Sequence, residues 1–268
     1  MNIDIRKFIG DRNIPYFDFI KFLSAVTKKD ISFFIINNLT DIDEKILFHA
    51  EEHFFKNKPL EYITKEVNFL GNNFYVDERV LIPRTETEDL VKIAYKIIKK
   101  NNIKNIIDLG TGSGVIALSL KMMIPEINIC ASDISSEALE VFEINRKKFG
   151  LSVKTYNCDF IYGIENIINE VELILTNPPY VESAFVNPGL SYEPEIALYA
   201  GKDGQDFFRK FLFQKNMFKS KHIIAETTEF NIDLTDKIMK ELGETEKLED
   251  IKLIERFVYK KPIKNQDY

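Results

Sequence analysis

Cysteine is almost missing from this chain. Only Cys130 and Cys158 occur in 268 residues, both in apolar or strand-like stretches without metal-ligand spacing. That argues against a disulfide scaffold and predicts reduced, structural thiols in a cytoplasmic protein. No run of about 18 apolar residues is present, so no membrane span is expected. The opening MNIDIRKFIGDRN mixes acids with bases and has no long apolar core, so it does not read as a signal peptide. A surplus of positive charge is also lacking. The formal net charge is −6; residues 1–84 carry 12 basic against 13 acidic side chains, and the remainder 24 against 29. Neither part is a basic module able to neutralise phosphates, so no direct nucleic-acid partner is expected. There is no internal repeat and no low-complexity segment.

What is present is an ordinary globular composition, 45% hydrophobic and 29% charged, in a chain long enough for two parts. In YFDFIKFLSAVT and DIDEKILFHAEEHFF apolar residues recur every three or four positions, which predicts amphipathic helices over residues 1–64, with Asp41 or Asp43 capping the latter. The period then changes. VNFLGNNFYVDERVLIP holds two short apolar runs around Gly71, Asn72 and Asn73, a β-hairpin signal that makes residues 65–83 a linker. After Pro83 a helix is expected through TETEDLVKIAYKIIKK, capped by Thr85 or Thr87.

From there to the end of a domain spanning 84–268, strands alternate with helices. NIIDLG, INICASD, VKTYNCD, VELILTN and KHIIAET read as strands, and GVIALSLKMM, SSEALEVFEINRKKFG and GQDFFRKFLFQKN as helices. Such alternation implies right-handed crossovers and an α/β fold, a doubly wound, mainly parallel sheet. KLEDIKLI and ERFVYKK add an antiparallel pair at one edge, giving seven strands.

In DLGTGSGV the first strand turns into a helix through Gly110, Gly112 and Gly114. Glycine allows positive φ and close approach of a ligand to the main chain, with Thr111 and Ser113 between. A phosphate loop would need Gly-Lys-Ser/Thr at its end, but Val115 and Ile116 follow Gly114. A dinucleotide fingerprint is one residue longer. A glycine turn without a ligand is the plain alternative. Asp133 ends the second strand, where doubly wound folds place a carboxylate on the ribose hydroxyls of an adenosine; capping the next helix is its alternative role. Asp159 and Phe160 follow the third strand, a carboxylate able to accept from an adenine amino group beside a ring able to pack on its face. Asn177 ends the fourth strand on the same carboxyl edge, where such sheets bind ligands.

The run Asn177-Pro178-Pro179-Tyr180 ends a core strand with two residues that lack N–H donors. If the ligand is an adenosine with an activated methyl, the acceptor is a planar nitrogen that needs positioning. Asn177 offers a side-chain carbonyl and Pro178 a main-chain one. Two such acceptors can grip both hydrogens of a primary amide or exocyclic amine and stabilise the positive charge developing on nitrogen. Tyr180 can stack on the planar group. No histidine base is needed, in keeping with only three histidines.

These residues resemble the class I S-adenosylmethionine-dependent amino methyltransferases with a Rossmann-like fold. PLEYI at 59–63, VLIPRTETEDLV at 80–91, NPPYV, and YEPEIALYAGKDG at 192–204 are similar more narrowly to the HemK-like (PrmC) family. That resemblance spans most of the chain. It implies methylation of a glutamine side-chain amide in the Gly-Gly-Gln loop of peptide chain release factors, with S-adenosylhomocysteine as the product. It puts Gly110 to Gly114, Asp133 and Phe160 on the cofactor, Asn177 through Tyr180 on the glutamine amide, and the N-terminal helices on the protein substrate. The chain departs from the family at Thr85, usually proline, around ETTEFN at 226–231, and in EDIKLIER near its end. Methylation of a ribosomal-protein glutamine, or of an exocyclic amine in DNA or rRNA, is the alternative. HAEEH, from His49 to His53, has the spacing of an inverted zinc-peptidase motif, but a short helical domain with no third ligand gives no metal site.

Overall fold

The computed structural model describes residues 5–36 and 43–263, divided into two compact units between Glu66 and Val67. The first unit is helical: α1 (Ile5–Asp11), α2 (Tyr16–Thr27), α3 (Ile31–Ile36), α4 (Glu44–Lys56) and α5 (Leu60–Thr64). Its core joins Phe19, Ile20, Phe22 and Leu23 of α2 to Leu47 and Ala50 of α4, the faces that the three-to-four spacing marks. Asp43 caps α4, accepting from the Lys45 amide at 3.1 Å; Asp41, the other expected cap, lies outside the described residues. The His53 ring stacks on Phe22, and its Nδ1 lies 2.9 Å from the Lys58 carbonyl oxygen.

The hairpin strands β1 (Glu66–Phe69) and β2 (Asn72–Tyr75) are joined by Leu70 and Gly71, both at positive φ (48° and 77°). That is the backbone a tight two-residue hairpin turn requires. Next come α6 (Thr87–Asn101), β3 (Asn105–Leu109), α7 (Val115–Met123), β4 (Asn128–Asp133), α8 (Ser136–Lys148), β5 (Lys154–Asn157), α9 (Glu165–Glu170) and β6 (Leu173–Thr176). The chain continues through α10 (Glu195–Leu198), α11 (Asp206–Phe213), α12 (Lys215–Phe218), β7 (His222–Glu226), α13 (Ile232–Lys240), β8 (Thr245–Glu249) and β9 (Glu255–Lys260). The seven-stranded sheet runs β5-β4-β3-β6-β7-β9-β8, parallel from β5 to β7 and antiparallel for the last two. The chain order reverses between β3 and β6, which opens a crevice at their carboxyl ends.

Strand residues alternate between two cores. Ile106, Leu173, Leu175, Ile224, Phe257 and Tyr259 face the layer of α6, α7 and α8. Ile107, Leu109, Ile174, Ile223, Ala225 and Val258 face α9, α11, α12 and α13. Both faces are covered, which is why these strands read as unbroken apolar runs.

Three expectations need correction. The edge strand expected in KLEDIKLI starts at Thr245 and is over by Glu249; as the outermost strand it has one neighbour, and its sequence TEKLE shows little apolar signal. Helix α13 carries no start signal in the sequence, because its N-cap Asn231 makes no side-chain capping bond. Neither Thr85 nor Thr87 caps α6: the cap position is Glu86, Thr85 bonds the Glu86 side chain, and Thr87 is turned to another use.

Candidate active site

The glycine loop is fastened to its surroundings by its own amides. Gly110 and Thr111 N–H donate to the Ser132 carbonyl at 2.9 and 3.0 Å, and Gly112 N–H donates to Asp133 Oδ2 at 2.8 Å. Behind the loop, Asp108 is fully buried; its Oδ2 accepts from the Thr111 hydroxyl at 2.7 Å and the Ala117 amide at 3.2 Å, and its Oδ1 has no partner. Burial pushes Asp108 up to about 7, against the hydrogen bonds from Thr111 and Ala117. Buried Asn145 joins the Ser113 carbonyl to the hairpin, donating to Ser113 and Tyr75 carbonyls at 2.9 Å each. The sequence marks neither Asp108 nor Asn145, since a lone buried Asp or Asn carries no spacing signal.

Gly110 and Gly112 have φ of 71° and 54°, as the loop demands. Gly114 (φ 86°) is needed for packing: an added Cβ would lie 2.5 Å from the Phe142 ring.

Asp133 is nearly buried at the end of β4. Its Oδ1 accepts from the Ser135 amide at 2.9 Å while Oδ2 holds Gly112. Burial raises its pKa, opposed by the amides of Ser135 and Gly112. The helix cap itself is Ser135, which accepts from the Ala138 amide at 3.1 Å. Asp159 forms an ion pair with Lys210. Phe160 has φ 57°, unusual for a bulky residue, and meets Phe207 and Phe211 edge-on at 5.5 and 4.8 Å.

At the end of β6 the chain leaves regular structure at once. Asn177 Nδ2 donates to the Thr87 hydroxyl at 3.1 Å, and Asn177 Oδ1 is buried without a partner. Among the described residues no group donates to the Pro178 carbonyl. The Tyr180 carbonyl accepts from Asn231 Nδ2 at 3.1 Å, and burial raises the pKa of its ring hydroxyl. Glu226, the last residue of β7, is buried with Oε2 unpartnered. Burial pushes it up to about 8, with the Thr87 hydroxyl opposing.

A cavity of about 410 Å³ lies between the glycine loop and the end of β6, within the range of small-ligand sites. Gly110, Thr111, Gly112, Ser113, Asp133, Asp159, Phe160, Asn177 and Pro179 line it, joined by Thr87 and Lys210, neither of which the sequence marks as a site residue. Gly114, Pro178 and Tyr180 stand off the lining: Gly114 is held against Phe142, and Tyr180 is anchored through its backbone to Asn231. The two sequence motifs flanking the site meet through Glu193, whose buried carboxylate accepts from the Ile82 amide at 2.9 Å and pairs with Arg84.

The lining suits an adenosine-bearing ligand. It offers a carboxylate at the end of β4, an aromatic wall at Phe160 and Phe207, and a glycine loop with no side chain in the way.

Comparison with known proteins agrees with this geometry. The family described as Methyltransferase small domain matches residues 91–191. The protein named release factor glutamine methyltransferase in Clostridium acetobutylicum is 36% identical over 213 residues, covering 76% of this chain and 75% of that protein. Its namesake in Dictyoglomus turgidum is 36% identical over 220 residues, covering 78% and 76%. A T. thermophilus 16S rRNA N2 methyltransferase, solved with AdoMet and guanosine, shares the fold at TM-score 0.53 and 13% identity, covering 74% of this chain and 50% of that one. The chain is therefore an S-adenosylmethionine-dependent methyltransferase, and it belongs to the release factor glutamine methyltransferase family.

Proposed function

We propose that the chain methylates the side-chain amide nitrogen of a glutamine in peptide chain release factors, at their Gly-Gly-Gln loop, in the cytoplasm. The observation that carries this reading is Asn177 Oδ1, a side-chain acceptor on a residue lining the cavity that is buried without a donor. A buried carbonyl left unpaired costs about 1–3 kcal/mol, which a primary amide offering two N–H groups would recover. Asn177 and Pro178 fix the amide plane and favour the charge that develops on nitrogen as it is alkylated. Tyr180 holds the turn behind them.

S-adenosylmethionine, when bound, supplies the activated methyl. Asp133 would hold its ribose hydroxyls, Asp159 and Phe160 its adenine, and Gly110 to Ser113 the main-chain approach. The neutral amide needs no strong base before attack, so the residues act by orientation and by excluding water. The helical unit supplies a surface for a protein substrate; Phe17, Phe48 and Phe55 are exposed on it, as at interaction sites.

The test is incubation of the chain with S-adenosylmethionine and a purified release factor, followed by peptide mass spectrometry. One added methyl on the glutamine of the Gly-Gly-Gln peptide is expected. Methylation elsewhere, or none on that peptide, contradicts the reading.

A further inference from the structure

A buried carboxyl behind this site, that of Glu226, has no part in the chemistry described so far. β6 and β7 pair in parallel with Thr176 opposite Ala225, so the next residue on each strand is Asn177 on one and Glu226 on the other. Thr87, the first residue of α6, stands with Asn177: its hydroxyl accepts from Asn177 Nδ2 at 3.1 Å, and the same hydroxyl holds the Glu226 pKa down against burial. Glu226 is 2% exposed, and its Oε2 has no partner.

An amide side chain is nearly symmetric in shape, so packing alone does not decide which end faces which way. A hydroxyl has one hydrogen, and where that hydrogen goes does decide it. When Glu226 is ionised it can only accept. The Thr87 hydrogen then turns to Glu226, the Thr87 lone pair turns to Asn177, and only Nδ2 of Asn177 can answer it. Asn177 Oδ1 is thereby left for a ligand. When Glu226 is neutral its own O–H can donate to Thr87, which frees the Thr87 hydrogen for Asn177 Oδ1 and permits the amide to turn over.

We propose that Glu226 and Thr87 are positioning residues that set the orientation of the Asn177 amide, and so set whether its carbonyl is available to the substrate nitrogen. The proposal rests on the reading of Asn177 as the holder of the amide. The charged and titratable groups acting on Glu226 are Glu86, Arg256, Arg84 and Tyr180. Burial is the largest influence on Glu226 and brings its ionisation to about 8, so the ordered arrangement gains as pH rises through that value. Stability moves the other way. The folded-state pKa lies above the ordinary 4.5, so the contribution of Glu226 is fully present below about 4.5 and is lost as pH rises through about 8.

The test uses the full chain with saturating S-adenosylmethionine and a purified release factor, and compares Thr87→Val, Thr87→Ser, Glu226→Gln and Asn177→Ala. Thr87→Val should lower kcat about tenfold to a hundredfold, the range for one hydrogen bond to a charged network, with KM and cofactor Kd within about threefold. Thr87→Ser, which keeps the hydroxyl, should stay within about threefold of the parent. The parent kcat should rise with pH to a plateau above 8, and Glu226→Gln should remove that rise. A carbon-13 titration of the Glu226 carboxyl should show its midpoint near 8, a readout independent of turnover. Thr87→Val with unchanged kcat beside an inactive Asn177→Ala would overturn the relay and leave the amide-holding reading standing. An Asn177→Ala variant as active as the parent would overturn that reading itself. If Thr87→Val fails to fold, the pH profile of Glu226→Gln decides, and an inflection identical to the parent's refutes the proposal.

Discussion

The two ends of the cavity are built on opposite plans. At the glycine corner Asp133 has both oxygens occupied by backbone amides, from Gly112 and Ser135. At the Asn177 corner the amide nitrogen is tied to Thr87 while Asn177 Oδ1 is left without a donor. Each occupied oxygen of Asp133 still has a lone pair, so it can accept from a ligand while holding the loop. The first corner is therefore rigid and complete before any ligand arrives. The second is complete only when something with N–H groups enters. On the proposed function the difference separates binding from reaction, because a preformed cradle sets affinity whereas an acceptor matched to developing charge sets rate.

The largest expected effect breaks the reaction corner alone. Asn177→Ala should reduce methyl transfer about 10²- to 10³-fold, the loss typical for one group that stabilises developing charge. Calorimetry on the same variant should show cofactor affinity within a few-fold; an equal loss of cofactor binding would erase the distinction between the corners.

Asp133→Ala attacks the other corner. Cofactor binding should weaken by about 1.5–3 kcal/mol, roughly 10- to 100-fold, since a charge-assisted bond is lost and Gly112 loses its anchor. An unchanged Kd by calorimetry would remove Asp133 from the ligand.

Gly114→Ala separates loop support from loop contact. The new Cβ would meet Phe142 at 2.5 Å, and overpacking of this kind costs about 1–3 kcal/mol. Urea denaturation should record that loss. A stable variant would mean that the loop yields easily and is not the rigid cradle described.

Lys210→Ala is expected to do least. Its ion pair with Asp159 is partly exposed, and such pairs contribute about 0–1 kcal/mol. Cofactor Kd should change by no more than a few-fold; a loss as large as that of Asp133→Ala would move the centre of binding toward the third strand.

Much of this is legible in the sequence because local rules and tertiary demands agree there. The Gly110–Gly114 loop, Asp133, Phe160 and Asn177 each follow a strand of recognisable period, and parallel strands bring their carboxyl ends together without further information. Thr87 reads as a cap but is not one, because its partner is Asn177, 90 positions away, and no local pattern records such a bond. Glu226 is invisible for the same reason: a glutamate ending an apolar strand looks like a solvated boundary, yet antiparallel β9 covers it on one side and α6 brings Thr87 to it on another. The bounds of β8 escape because an edge strand needs little apolar alternation, and α13 escapes because its start lacks a capping side chain.

What the Asn177 acceptor holds, a glutamine amide and not a nucleobase amine, decides the proposed function. Radiolabelled S-adenosylmethionine, offered with a purified release factor, the same factor with its Gly-Gly-Gln glutamine changed to alanine, duplex DNA, and rRNA, tests it most directly. Label on the unmodified factor only is the expected result. Label on nucleic acid, or equal label on the alanine variant, would contradict it.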